Sequence, residues 1–207
     1  VDEKGCKVDG DQILGMSALW LKEKNQLADN AIVATVMSNL GLEKALKSKG
    51  ITTVRCGVGD RFVVQTMREK NLVLGGEQSG HLIFLDHATT GDGMATALQV
   101  LSQMTETGRP LSELSSFYTP FPQTIRSLRV AKKIPLAQLD SVRNSIEASE
   151  KELGDAGRVV VRYSGTEKKV RVMVEAEDET KLESTVERIS NALINELGPE
   201  EESFPFA

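Results

Sequence analysis

Ten consecutive residues, Arg162-Tyr163-Ser164-Gly165-Thr166-Glu167-Lys168-Lys169-Val170-Arg171, place two guanidinium groups, a serine, a threonine and a glycine between two alternating runs. In the second run Val170, Val172, Val174 and Ala176 fall on one strand face, and Lys169, Arg171, Met173 and Glu175 on the other. A turn over Ser164–Glu167 would bring Arg162 and Arg171 towards one spot. Guanidinium forks match phosphate oxygens, hydroxyls donate to them, and glycine lets backbone N–H groups close on an anion. Positions 158–171 hold five basic residues and one acidic one in a chain of net charge −5, so the excess is local. The alternative is a surface hairpin with solvated charges.

A second cluster, Gly75-Gly76-Glu77-Gln78-Ser79-Gly80-His81, lies between the apolar runs Leu72–Leu74 and Leu82–Leu85 and is predicted as a tight loop between strands. A carboxylate there accepts hydrogen bonds from neighbouring sugar hydroxyls, and an imidazole moves a proton near neutral pH. Turn chemistry with a satisfied histidine is the other reading.

Together these segments, GEQSGH at 76–81 and RYSGTEKKVR at 162–171, resemble the GExSGH sugar loop and the RxSGTExxxR phosphate loop of the alpha-D-phosphohexomutase superfamily. KVDGDQIL at 7–14, VMSNLGLEKALK at 36–47, VGDRFV at 58–63 and TTGDGMATALQVL at 89–101 are similar to its phosphoglucosamine mutase branch in particular, so the resemblance runs from about Lys7 to Leu197. It implies interconversion of glucosamine 6-phosphate and glucosamine 1-phosphate through a hexosamine bisphosphate, serving amino-sugar nucleotide and cell-wall precursor synthesis. It also implies that Arg162, Ser164, Gly165, Thr166 and Arg171 hold the distal phosphate, and that Glu77, Ser79 and His81 contact the sugar, with His81 a candidate proton shuttle. The resemblance implies that Asp60 and Arg61 occupy the superfamily's variable specificity loop; a helix cap with a solvated arginine is the competing reading. At Lys168 the sequence departs from related loops, which commonly carry a φ-fixing proline.

Superfamily members resemble one another in four domains, the first with a phosphorylatable serine and the second with a DGDGDR-type loop for Mg2+; neither motif occurs here. The resemblance therefore implies a C-terminal half whose nucleophile and magnesium ligands lie in an N-terminal half of the same enzyme. No metal ligand set is expected in this chain. Asp9 and Asp11 directly precede a helical pattern at Ile13, Leu14, Ala18 and Leu21, and are read as helix-capping carboxylates in preference to a metal pair.

The predicted elements form an α/β domain with a mixed-sheet sandwich followed by a smaller α+β domain of an antiparallel sheet and two helices. Residues 1–7 are read as a remnant of a preceding domain, 8–115 as the sugar-loop domain (domain III), 116–123 as a linker, 124–198 as the phosphate-loop domain (domain IV) and 199–207 as a loose tail. In the first domain strands are predicted over Ala31–Met37 and Ile51–Cys56, with helices from Ser38 to Lys49 and Asp60 to Lys70. Asp92 is expected to cap a helix with an apolar face of Met94, Ala97, Leu98 and Leu101. In the second, a strand over Ser127–Ala131 and a helix over Pro135–Leu153 precede the hairpin. The last helix, Asp178–Leu197, carries an apolar stripe of Leu182, Val186, Ile189, Leu193 and Leu197.

Composition bounds the alternatives. Apolar residues at 40% and charged residues at 27% suit a globular chain with its own cores. No run approaches the about 20 apolar residues of a membrane span, and the acidic balance disfavours a nucleic-acid surface. Cys6 and Cys56 make no disulfide framework, which suits a reducing cytoplasm. Oligomeric state, including a homo-oligomer, stays open. Three other functions stay open too: a mannose- or glucose-phosphate mutase, a non-catalytic phosphosugar-binding module, and a structural domain pair without ligand.

Overall fold

The computed structural model describes residues 1–199; the expectation of a loose tail lies, beyond Pro199, outside the described residues. The chain divides into two compact units, Val1–Pro120 and Phe121 onwards.

In the first unit, β1 (Ala31–Thr35) is buried along its whole length because it is covered on both faces. Alternate residues serve opposite cores. Ile32 and Ala34 join Leu14 and Ala18 of α1 (Gly10–Glu23) and Leu42 and Leu46 of α2 (Leu40–Ser48); Ala31 and Val33 join Val63 and Met67 of α3 (Asp60–Glu69). β2 (Thr52–Cys56) and β3 (Leu74–Gly76) flank β1 in parallel, and β4 (Leu82–Phe84) returns antiparallel to β3. The sheet order is β2-β1-β3-β4, a mixed sheet between helical layers. Because β3 and β4 are consecutive and antiparallel, residues 77–81 are forced into a short turn at one sheet edge.

Element ends differ from the sequence reading where a side-chain cap decides. Asn39, not Ser38, caps α2, its Oδ1 accepting from the Gly41 N–H at 2.8 Å. Gly59 caps α3 and Asp60 is its first residue, so the competing reading of Asp60 as that cap does not hold. Asp92 does cap α4 (Gly93–Thr107), accepting from the N–H groups of Met94 and Ala95. The apolar face proposed for α4 is a correction: Met94 is 78% exposed, Leu98 65% and Leu101 55%. The helix instead turns Thr96 and Gln103 inward, and Gln103 Nε2 donates to the buried Ser17 Oγ of α1 at 3.0 Å. A short helix, α5 (Leu111–Leu114), follows.

The second unit is a three-stranded antiparallel sheet in the order β5-β7-β6, formed by β5 (Gln123–Arg129), β6 (Gly157–Tyr163) and β7 (Lys169–Ala176). β5 starts four residues before the predicted Ser127, because β7 is long enough to pair with Gln123 through Glu175. The predicted helix from Pro135 begins as a single 3-10 turn and becomes α6 only at Asp140, running to Leu153. α7 (Glu179–Leu197) is capped by Asp178 and buries its stripe of Leu182, Val186, Ile189, Leu193 and Leu197 against Val170, Val172 and Val174. Full burial of each such side chain contributes about 1.5–3 kcal/mol. The opposite face of β7 is less open than alternation suggests: Met173 and Glu175 are also buried, and Glu175 holds Arg158 at 2.5 Å and the Gln123 amide at 2.7 Å. Pro199 bridges to Val130 and Gly198 O accepts from the Ala131 N–H, which ties the end of α7 to the sheet.

Candidate functional site

The β6–β7 register sets Arg162 directly opposite Arg171. Like charges facing each other across strands repel, and Arg162 is held below the usual guanidinium range first by burial and then by Arg171. The Nε atoms of both are buried and have no hydrogen-bond partner. Of the five basic residues at 158–171, Arg158 is ion-paired with Glu175 and Lys169 with Glu167 at 2.6 Å; the other three are the exposed Lys168 and the two facing arginines. Glu167 is correspondingly held below the usual carboxylate range by the Lys169 hydrogen bond and charge.

The connecting turn is built from within. The Ser164 N–H donates to Lys169 O at 2.8 Å, Ser164 Oγ accepts from the Glu167 N–H at 3.3 Å, and Lys133 Nζ donates to Ser164 O at 2.8 Å. Tyr163 anchors the hairpin base: its hydroxyl donates to Ile134 O at 2.6 Å and accepts from the Ile134 N–H at 3.2 Å. Ser164 is buried while Gly165 and Thr166 are exposed at the tip. A Cβ at Gly165 would meet no atom within 4 Å, so the fold itself does not require glycine there.

In the first unit the loop 77–81 closes through Glu77 N–H to His81 O and Gly80 N–H to Glu77 O, both at 3.0 Å. One Glu77 oxygen accepts from the Gly59 N–H at 3.0 Å, and the other stands 4.0 Å from His81 Nδ1. Ser79 Oγ lies 3.2 Å from the same His81 nitrogen, with donor and acceptor set by the tautomer. His81 is well exposed, at 65% of its side chain.

Glu77, Gln78 and Ser79 line a cavity of about 400 Å³ together with Lys7, Asp9, Thr35, Met37 and Val58. Asp60 and Arg61 do not line it. They border a separate cleft with Arg68, Glu69, Thr89 and Thr90, and the Asp60 carboxylate turns back to accept from the Arg61 N–H at 2.7 Å. The bond from Gly59 to Glu77 links that loop to the cavity through the backbone. Sequence reasoning missed Lys7, Thr35, Met37, Val58 and Gln78; the signal for four of them was membership of the segments 7–14, 36–47, 58–63 and 76–81, while Thr35 lies outside all four, because packing rather than local pattern brings them together.

Asp9 and Asp11 separate in role. Asp9 caps α1 in a reciprocal capping box with Gln12, both bonds at 3.0 Å. Asp11 is not a cap: it is fully buried and accepts from the Asn39 N–H at 2.7 Å. Gly10 between them is sterically required, since a Cβ would come within 2.1 Å of Glu77 O; its N–H donates to Gln78 O at 3.0 Å. Among the described residues no three His, Cys, Asp or Glu side chains gather in a way that would hold a metal ion.

Comparison with known proteins matches residues 9–121 to the family model described as phosphoglucomutase/phosphomannomutase, alpha/beta/alpha domain III, and residues 126–192 to the C-terminal domain of the same family. A curated phosphoglucosamine mutase from Frankia alni is 51% identical over 190 residues, covering 92% of this chain and 42% of that protein. One from Bacillus licheniformis is 48% identical over 200 residues, covering 97% and 45%. The chain thus spans less than half the length of these relatives. Among solved structures, Aspergillus fumigatus N-acetylphosphoglucosamine mutase in complex with GlcNAc-6P and magnesium superposes with a TM-score of 0.73 at 21% identity, covering 91% of this chain and 44% of that one. A phosphoglucomutase/phosphomannomutase family protein from Burkholderia thailandensis gives 0.70 at 21%, with coverage of 91% and 42%. These likenesses concern the fold.

Proposed function

The chain belongs to the phosphoglucomutase/phosphomannomutase family, and from that premise we propose that it is the C-terminal part of a phosphoglucosamine mutase. The whole enzyme interconverts glucosamine 6-phosphate and glucosamine 1-phosphate through a hexosamine bisphosphate that turns over within the site. This chain supplies the grip. The observation that carries the reading is the facing pair Arg162 and Arg171 with both Nε atoms buried and unpaired, an arrangement that an anion between them would satisfy. Identity of about half the residues to curated phosphoglucosamine mutases supports the amino-sugar branch.

In this reading Arg162 and Arg171 fork onto the phosphate that is not reacting, Ser164 and Thr166 add hydroxyl donors, and Gly165 lets the anion approach the backbone. Glu77 and Ser79 accept from and donate to sugar hydroxyls, and His81 moves a proton at a sugar oxygen. Asp60 and Arg61 act on specificity indirectly, through the Gly59–Glu77 bond. Among the described residues no group of carboxylates and histidines gathers to hold a magnesium ion; in this reading the ion, like the nucleophilic serine, belongs to another part of the whole enzyme. No described helix is long and apolar enough to cross a membrane, consistent with a cytoplasmic enzyme acting on small phosphosugars.

A substrate panel on the full-length protein tests this. The expected result is the highest kcat/KM for glucosamine phosphates; a higher value for mannose or glucose phosphates would overturn the assignment.

A further inference from the structure

Asp11 is a buried charge that the proposed chemistry does not use. Its Oδ2 accepts from the Asn39 N–H at 2.7 Å, while Oδ1 is buried with no hydrogen-bond partner. Burial pushes its carboxyl up to about 6; Asn39 N–H, the Ser38 hydroxyl and Arg55 favour the charged form and Asp9 opposes it. A helix contact that only needed adhesion is already provided by Leu14 and Leu42 in the same core. A buried carboxylate weakens a fold even when the Asn39 N–H and the Ser38 hydroxyl support it, so its presence calls for another role.

What it touches supplies one. The segment Thr35–Asn39 is held from two directions: Asp11 takes the Asn39 N–H, and Arg55 Nη1 donates to Thr35 O at 3.0 Å and to Ser38 O at 2.6 Å while its Nε donates to Glu43 at 2.9 Å. Thr35 and Met37 from this segment line the same cavity as Glu77 and Ser79. Immediately before Asp11, Gly10 is locked onto the carbonyls of Glu77 and Gln78. Asp11 therefore stands at the junction of two walls of one cavity. We propose that Asp11 is a positioning residue: its carboxylate fixes the Thr35–Asn39 wall against the Glu77–His81 loop and so sets how the sugar ring is held.

The proposal rests on the sugar-site reading given above, and the test separates the two. In the full-length protein, Asp11→Asn keeps the size and one acceptor, and Asp11→Leu keeps only the bulk. The KM for the best hexose phosphate of the panel should rise about threefold in the first and about tenfold or more in the second, with the inhibition constant of inorganic phosphate changed by less than about twofold because the phosphate loop lies in the other unit. Hydrogen exchange should quicken in peptides covering 35–39 and 76–81 together, and not in β7. This readout needs no turnover, so it stands even if the function assigned above fails. Unchanged KM in folded variants, an equal change in phosphate inhibition, or exchange that quickens at 35–39 alone would overturn the proposal. Should the leucine variant not fold, the asparagine variant decides by the same criteria.

Discussion

Replacing Arg171 by alanine removes one of two guanidinium groups that face each other across β6 and β7. The structure predicts two consequences of opposite sign. Without an anion the pair is unfavourable, since like charges directly opposite on neighbouring strands cost a few tenths to about 1 kcal/mol; removing one should leave the fold as stable as before or raise it by up to that amount. With an anion, the lost hydrogen bonds to a charged group are worth about 1.5–3 kcal/mol, which is roughly tenfold to somewhat over a hundredfold in affinity. Arg171→Lys should regain only part, because an ammonium keeps the charge and loses the fork. The assay is calorimetric titration of the full-length protein with inorganic phosphate, paired with thermal denaturation in phosphate-free buffer. Wild type should gain Tm on adding phosphate by mass action, and the alanine variant should gain much less. An alanine variant that is destabilised without phosphate yet binds it like wild type would show that the arginines serve the hairpin and not an anion.

Three further outcomes follow from particular contacts. Asp11, whose folded pKa of about 6 exceeds the ordinary 3.8, keeps its proton to higher pH in the folded than in the unfolded state; the penalty of ionising it is absent below about pH 4, grows as pH rises to 6 and then stays, on the order of 3 kcal/mol. The stability of Asp11→Asn relative to wild type should therefore rise between pH 4 and 7, and parallel denaturation curves across that range would contradict it. Tyr163→Phe deletes the hydroxyl that both donates to and accepts from Ile134, and should lower stability by about 1–3 kcal/mol in urea unfolding; no change would mean water replaces it fully. The 207-residue chain by itself should show no mutase turnover of glucosamine 6-phosphate, as holding groups do not substitute for a nucleophile and a Lewis acid; turnover above a mock preparation would place the chemistry within it.

How much of this was legible in the sequence varied with the kind of interaction. The valines of β7 and the stripe of α7 were readable because one face of each is buried and the period survives. The convergence of Arg162 and Arg171 was readable because a short hairpin fixes their register locally. Asp9 and Asp92 were readable as caps because capping is also local. Asp11 was not: two residues from a true cap, it is claimed by Asn39, 28 positions away. The α4 face was misread because Met94, Leu98 and Leu101 carry a core-like period while the inward contact is the polar pair Gln103 and Ser17. Asp60 and Arg61 open α3, and which cleft they border depends on how α3 lies on the sheet, which no local pattern encodes.

The central claim, that this chain carries a sugar subsite and a separate phosphate subsite, is tested most directly by comparing Glu77→Ala with Arg171→Ala in the full-length enzyme. Both should lower kcat/KM for glucosamine 6-phosphate, by about 1.5–3 kcal/mol of lost transition-state binding. Only Arg171→Ala should also raise the inhibition constant of inorganic phosphate, by about tenfold or more, because the anion itself is the target of the guanidinium. Phosphate inhibition disturbed as strongly by Glu77→Ala as by Arg171→Ala would contradict the division of the chain into two holding sites.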